Sequence, residues 1–149
     1  MLTFQDSDLN TGLHFAAKIG NVQICEKIIS EAVQLDIIDL IINCRNGEEF
    51  TPLILVAWRG YHTVSEKDNA INCRHLIIEK LIRAGAWANY CNTVTLMTAM
   101  HWLAFNNDHL AMEVLMKNKG DHLLMTHDGL LPIDIAGTKP SLQSLDLLL

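Results

Sequence analysis

The side chains in this sequence with the most chemistry in them are four cysteines, seven histidines and a scatter of aspartates. A zinc site or a dithiol redox centre needs thiolates within about one turn of each other, usually as C-x-x-C. Cys25, Cys44, Cys73 and Cys91 form no such pair, and their spacing suits no small disulfide scaffold. The even count permits two disulfides. However, Met1 to Asp6 lacks a basic region followed by an apolar run, so no secretory leader is expected and the thiols read as reduced. Cys25 and Cys73 fall on helical apolar patterns, as structural cysteines do. His101, His109, His122 and His127 are close in sequence but follow no ligand spacing, so no metal is expected. Asp36 with Asp39, or Asp128 with Asp134, would make an acid–base pair only inside a pocket, and nothing nearby builds one. Glycine-rich phosphate loops, G-x-S-x-G elbows and H-E-x-x-H helices are missing from the sequence. The expectation is a chain without catalysis and without a cofactor.

Binding chemistry is left. The formal charge is −6 and no Lys/Arg cluster stands out, which argues against a nucleic-acid or anionic-membrane surface. The most apolar stretch, Val33 to Ile42, is interrupted by Gln34, Asp36 and Asp39, so it is too short and too charged to span a bilayer. Hydrophobic residues make up 50% of the chain, enough for a core, but aromatic residues only 6%. Those few rings therefore carry most of the adhesive potential, and the elements that hold them matter most.

Four segments align with one another: Thr11 to Ala17 (TGLHFAA), Thr51 to Ala57 (TPLILVA), Thr98 to Ala104 (TAMHWLA) and Leu131 to Gly137 (LPIDIAG). In each of the first three, a residue suited to the left-handed conformation follows three places on: Gly20, Gly60 and Asn107. Threonine at the start supplies an N-cap oxygen, and proline after it pre-sets the first helical turn. His14 and His101 can hydrogen-bond across the turn, and small Ala16, Ala17, Ala57 and Ala104 let a short helix lie close to its neighbours. A second amphipathic helix follows in three units, carried by Val22, Ile24, Cys25, Ile28 and Ile29, by Leu76, Ile77, Leu81 and Ile82, and by Leu110, Met112, Val114, Leu115 and Met116.

Together with Gly85-Ala86-Trp87-Ala88-Asn89, these segments resemble the ankyrin repeat, Thr-Pro-Leu-His-x-Ala-Ala, then Gly, then a second helix, then Gly-Ala-Asp-x-Asn. The resemblance covers nearly the whole chain. It implies an all-α, ankyrin-like solenoid of stacked helix–turn–helix repeats joined by β-turn or hairpin-like loops. This would be a single domain over 1–149 with units near 6–45, 46–92, 93–125 and 126–149. Thr98 and Leu131 are 33 residues apart, the family's period. Thr11 and Thr51 are 40 apart and Thr51 and Thr98 are 47 apart, so two stretches of extra chain are expected. One lies around Glu31 to Ile42. The other lies around Tyr61 to Cys73 and reads as a longer solvated connection or an idle insertion. The motif is broken where Gly12 and Ala99 replace Pro, Ile54 and Asp134 replace His, Leu131 replaces Thr, and Pro140 falls near the last expected Gly. The last unit has room only for a short second helix, Ser141 to Leu149. Its apolar end, Leu145 to Leu149, suggests that more chain follows or that a partner covers it.

The resemblance places function on a concave face made of turn tips and first helices, where a protein segment would dock. The positions before each Gly-type residue fall there: Lys18 and Ile19, Trp58 and Arg59, Phe105 and Asn106, and Thr138 and Lys139. Turn tips add Ser7, Asp8, Asn10, Gly47, Glu48, Phe50, Val94, Thr95, Met97, His127 and Asp128. Trp58, Arg59 and Phe105 are the principal candidates, because aromatic and arginine side chains dominate binding hot spots. The competing reading packs Trp58 and Phe105 on neighbouring units. Trp102 is expected in the core, and Trp87 partly exposed. The function expected is a non-catalytic, intracellular and cytoplasmic-type protein-binding module, with no nucleic acid and no direct membrane insertion. Two alternatives stand beside it: a permanent subunit of a large assembly, and the regulatory part of a larger channel or enzyme.

Overall fold

The computed structural model describes residues 2–59 and 73–136. The second insertion (61–72), Gly60, Gly137, Thr138, Lys139, Pro140 and the Ser141 to Leu149 segment lie outside the described residues. Within the described residues the chain is all-α. The helices are α1 (Gly12–Ile19), α2 (Val22–Gln34), α3 (Ile38–Ile41), α4 (Pro52–Trp58), α5 (Arg74–Arg83), α6 (Ala99–Asn106), α7 (His109–Lys117) and α8 (Pro132–Ala136). The one β pairing among them is an isolated bridge between Cys91 and Thr98.

The helix starts follow from side-chain caps. Thr11 Oγ1 accepts the His14 N–H at 3.4 Å and Thr51 Oγ1 the Ile54 N–H at 3.3 Å. Asn21 and Asp108 cap α2 and α7 through the Ile24 and Ala111 N–H groups at 3.0 and 3.1 Å. The ends follow from left-handed residues: Gly20 at φ 78° stops α1, and Asn107 at φ 62° stops α6. Both turns leave room for a second helix to fold back, so α1 pairs with α2 and α6 with α7, as α4 does with α5.

These helices are too short to persist alone in water. Their order comes from lateral packing in two series. In one, α1 packs on α4, α4 on α6, and α6 on α8; in the other, α2 packs on α5 and α5 on α7. Small residues permit the close approach, since Ala16, Ala17, Ala57 and Ala104 are all buried. The middle helix α4 packs against α1, α5 and α6 and is buried from Pro52 to Ala57, which explains why PLILVA shows no polar face. The extra chain after α2 is not loose surface. It lengthens α2 and adds α3, and it buries Ile41 and Ile42 in the common core.

A buried imidazole couples one helix start to the next turn. The Thr11 N–H donates to His14 Nδ1 at 3.1 Å, so that nitrogen carries no proton. The proton is on Nε2, which donates to the Phe50 carbonyl at 2.9 Å, 36 residues along the chain. His101 repeats the arrangement, accepting from the Thr98 N–H at 3.1 Å and donating to the Leu130 carbonyl at 3.2 Å. In the last unit Asp134 Oδ2 accepts the Leu131 N–H at 2.8 Å, so the carboxylate fills the acceptor role of the missing imidazole nitrogen.

Both rings are inaccessible, and burial holds their pKa values below the ordinary 6.5 against the opposing pull of the carbonyl acceptors. The folded protein therefore keeps them neutral while the unfolded chain protonates them as pH falls through that ordinary value. Stability should be full above about pH 7 and decline as pH falls from there toward 5, because the unfolded state then binds more protons. Urea unfolding at pH 7.5, 6.5 and 5.5 checks this. The H14N/H101N double variant should be less stable throughout but show a visibly shallower decline. An equal slope in the variant would mean that these rings do not set the pH dependence.

Candidate functional site

The turn tips are shaped by short polar side chains that accept from their own backbone. Asp6 Oδ1 accepts the N–H groups of Asp8 and Asn10 at 2.9 and 2.8 Å. Asn46 Oδ1 accepts those of Glu48 and Phe50 at 3.0 and 2.9 Å, Asn92 Oδ1 that of Thr95 at 3.0 Å, and Thr126 Oγ1 that of Leu130 at 3.2 Å. Each loop then needs one residue with positive φ: Leu9 at 61°, Glu49 at 60°, Leu96 at 55° and Gly129 at 75°. Only the last is glycine.

Successive tips are bonded to one another, giving a continuous rim. The Gly47 N–H donates to the Asp8 carbonyl at 2.7 Å, and Asn46 Nδ2 to Asn10 Oδ1 at 3.0 Å. The Thr93 N–H and hydroxyl both donate to Glu49 Oε2, at 2.7 and 2.6 Å, which holds that carboxyl below its usual range. The His127 N–H donates to the Thr95 carbonyl at 2.8 Å. Between the first two tips and the helices α1 and α4 lies an open cavity of about 480 Å³, with Asp8, Asn10 and Glu48 on the rim, Lys18 on α1, and Leu55 and Trp58 on α4.

The residues singled out in the sequence divide on placement. Lys18, Glu48 and Trp58 meet in this groove; Lys18 and Glu48 are exposed and Trp58 is 42% exposed. Ile19 is exposed beyond Lys18. Phe105 occupies the place of Trp58 on α6 and is 40% exposed. Both readings of the two rings hold in part: each packs on a neighbouring ring and leaves about the same fraction open. Trp58 lies 6.4 Å from Phe50, and Phe105 lies 6.3 Å edge-on to Trp102.

Phe50 departs from the expected tip position. It is buried at 8% exposure, because its ring turns inward between Trp58 and Trp102, and its carbonyl is the acceptor for His14. Trp102 is half-buried and lies over the core, not inside it, where it joins Phe50 to Phe105. Asn106 is half-buried, and its Nδ2 donates to the Ala57 and Trp58 carbonyls at 2.8 and 3.3 Å, covering the open end of α4. Its amide therefore holds two helices together. Arg59 is half-buried with its guanidinium against Gly20, where any Cβ would collide with it. Burial lowers the Arg59 pKa, and the neighbouring Arg74 charge adds to this. Trp87 is exposed beside Tyr90.

The sequence reading missed a buried ion pair. Arg74 Nη1 meets Asp108 Oδ2 at 2.8 Å, with both side chains almost inaccessible, and Arg74 also donates to the Arg59 carbonyl. Asp108 uses its other oxygen to cap α7. One carboxylate thus ties the starts of α5 and α7 to the end of α4. The only signal was an Asp before an apolar helix; its partner lies 34 residues away.

Among the described residues no group of three or more His, Cys, Asp or Glu could hold a metal ion, and no helix is long and apolar enough to cross a membrane. The four cysteines are free, and burial pushes the Cys25 thiol up to about 11, so it is not a nucleophile at neutral pH. Comparison with protein-family models gives no match, and a search of curated proteins gives none either.

Leu9 and Leu96 have no side-chain compensation for their positive φ comparable to the Glu49–Thr93 bonds. A left-handed conformation costs a non-glycine residue about 1–2 kcal/mol, part of which glycine returns as unfolded-state entropy. Leu9→Gly and Leu96→Gly should each raise stability by roughly 0.5–1 kcal/mol in urea unfolding. Glu49→Gly should give no gain, because it removes the link to Thr93. Destabilisation by both leucine changes would show that their side chains contribute more than the backbone strain costs.

Proposed function

We propose that the chain is a four-unit ankyrin-like solenoid that binds a protein segment on its concave face and has no catalysis of its own. The observation that carries this reading is the groove itself: an open cavity bounded by a bonded rim of turn tips, with the Trp58 ring exposed on its α4 wall. A half-exposed indole held by Phe50 is a ready anchor, because its area is already ordered and part of it still faces solvent.

Three features support the solenoid. The first helices contact one another in chain order, as do the second helices. The imidazole bridge recurs at His14 and His101 between equivalent atoms. Asparagine bridges recur as well: Asn43 Nδ2 donates to the Gly85 carbonyl while its oxygen accepts the Trp87 N–H, and Asn89 does the same with Lys119 and Asp121. An open groove with a polar rim suits an extended protein segment. Free thiols without a dithiol motif fit a reducing, intracellular setting.

The W58A/F105A double variant tests the reading. Immobilised wild-type chain should retain a set of proteins from an extract of the source cells, and the double variant should retain them at least tenfold less. Its far-UV circular dichroism should match the wild type, with only a small loss of melting temperature. Equal capture by the folded variant would remove the groove from the account. Unfolding of the variant would assign both rings to the core.

A further inference from the structure

The groove is charged oppositely at its two ends. At the turn-tip end stand the carboxylates of Asp8 and Glu48, brought together by the Gly47 N–H bond to the Asp8 carbonyl at 2.7 Å. Both side chains are exposed, and neither takes part in an ion pair among the described residues. At the other end Lys18 projects from the last turn of α1. Between the ends the Trp58 indole supplies exposed apolar surface, while Leu55 is buried.

This distribution discriminates between classes of partner. A polyanion would be drawn to Lys18 but would meet the two carboxylates at the rim. A uniformly basic segment would have the opposite difficulty. An extended segment with both signs satisfies the two ends at once, and like-charge juxtaposition rejects the others.

We infer that the groove takes an extended protein segment that carries a basic and an acidic side chain on either side of an apolar one, with the basic end at Asp8 and Glu48 and the acidic end at Lys18. The inference rests on the groove reading above and adds the chemistry of the occupant. The apolar residue packs on the exposed part of the Trp58 indole. A basic side chain beside it can also lie against the ring face.

A phage-displayed library of random dodecapeptides, selected on the immobilised full chain, tests it. Enriched clones should share an Arg or Lys and an Asp or Glu on either side of an apolar residue, in either chain direction. Synthetic peptides from those clones should bind at least tenfold more weakly to D8N/E48Q, to K18E and to W58A. They should bind unchanged to D36N/D39N, which removes the same two charges from the α2–α3 segment. A clone whose basic and acidic residues are both replaced by Gln should lose at least tenfold in affinity. Clones that depend on Trp58 but show no charge pattern, and are indifferent to D8N/E48Q and K18E, would overturn the inference and leave the groove reading standing. Clones that bind W58A as well as the wild type, or no enrichment at all, would overturn both.

Discussion

The imidazoles of His14 and His101 hold together parts of the chain that cannot be stable separately. Helices of eight residues cannot pay their own nucleation cost in water, so each must be placed by a neighbour before it persists. A neutral ring that accepts from its own helix start and donates to the next turn supplies both the placement and the register. The unit between them has Ile54, which packs in the core and offers no ring nitrogen. That junction is held by other means: the two Thr93 bonds to Glu49 at the tips, the Asn106 amide over the end of α4, and the buried Arg74–Asp108 pair at the far end of the same helices. Breaking that pair from one side would strand a charge in the interior, so it fixes the junction more firmly than its net contribution to stability would suggest.

The proposed groove is a by-product of this construction. Turn tips that bond to one another stand away from the short first helices, and the space between rim and helices cannot close. Where the outward position of a first helix carries a large ring, the ring is pinned by aromatic neighbours and still half open, as Trp58 and Phe105 are. Lys18 at the end of α1 also answers the partial negative charge of its terminal carbonyls, so the charge that would select a partner agrees with the local electrostatics of the fold.

Much of this architecture was legible in the residues. Thr11, Thr51 and Thr98 mark the helix starts, Gly20 and Asn107 the stops, and the apolar spacing from Val22, Leu76 and Leu110 the second helices, since each signal acts within a few residues of chain. Lys18, Glu48 and Trp58 could be assigned to one groove because the repeat places equivalent positions on one face. What the sequence could not reveal depends on partners far along the chain. Phe50 reads as a tip residue until Trp102 is brought beside it. Asn106 reads as a contact residue until the open carbonyls of α4 appear under its amide. Arg74 looks like an ordinary first-turn arginine, because nothing local announces Asp108. The isoleucines of α3 form too short a run to show a helical period, so the extra chain there read as length and not as core.

The most direct test is the protonation state of the bridging rings. A long-range proton–nitrogen correlation spectrum of the side-chain imidazoles at pH 7 distinguishes the tautomers. The account predicts that His14 and His101, assigned by single substitution, are neutral with the proton on Nε2 and a bare Nδ1. A proton on Nδ1, or a charged ring at either position, would contradict it, because the helix start would lose its acceptor and the link to the next turn would be gone.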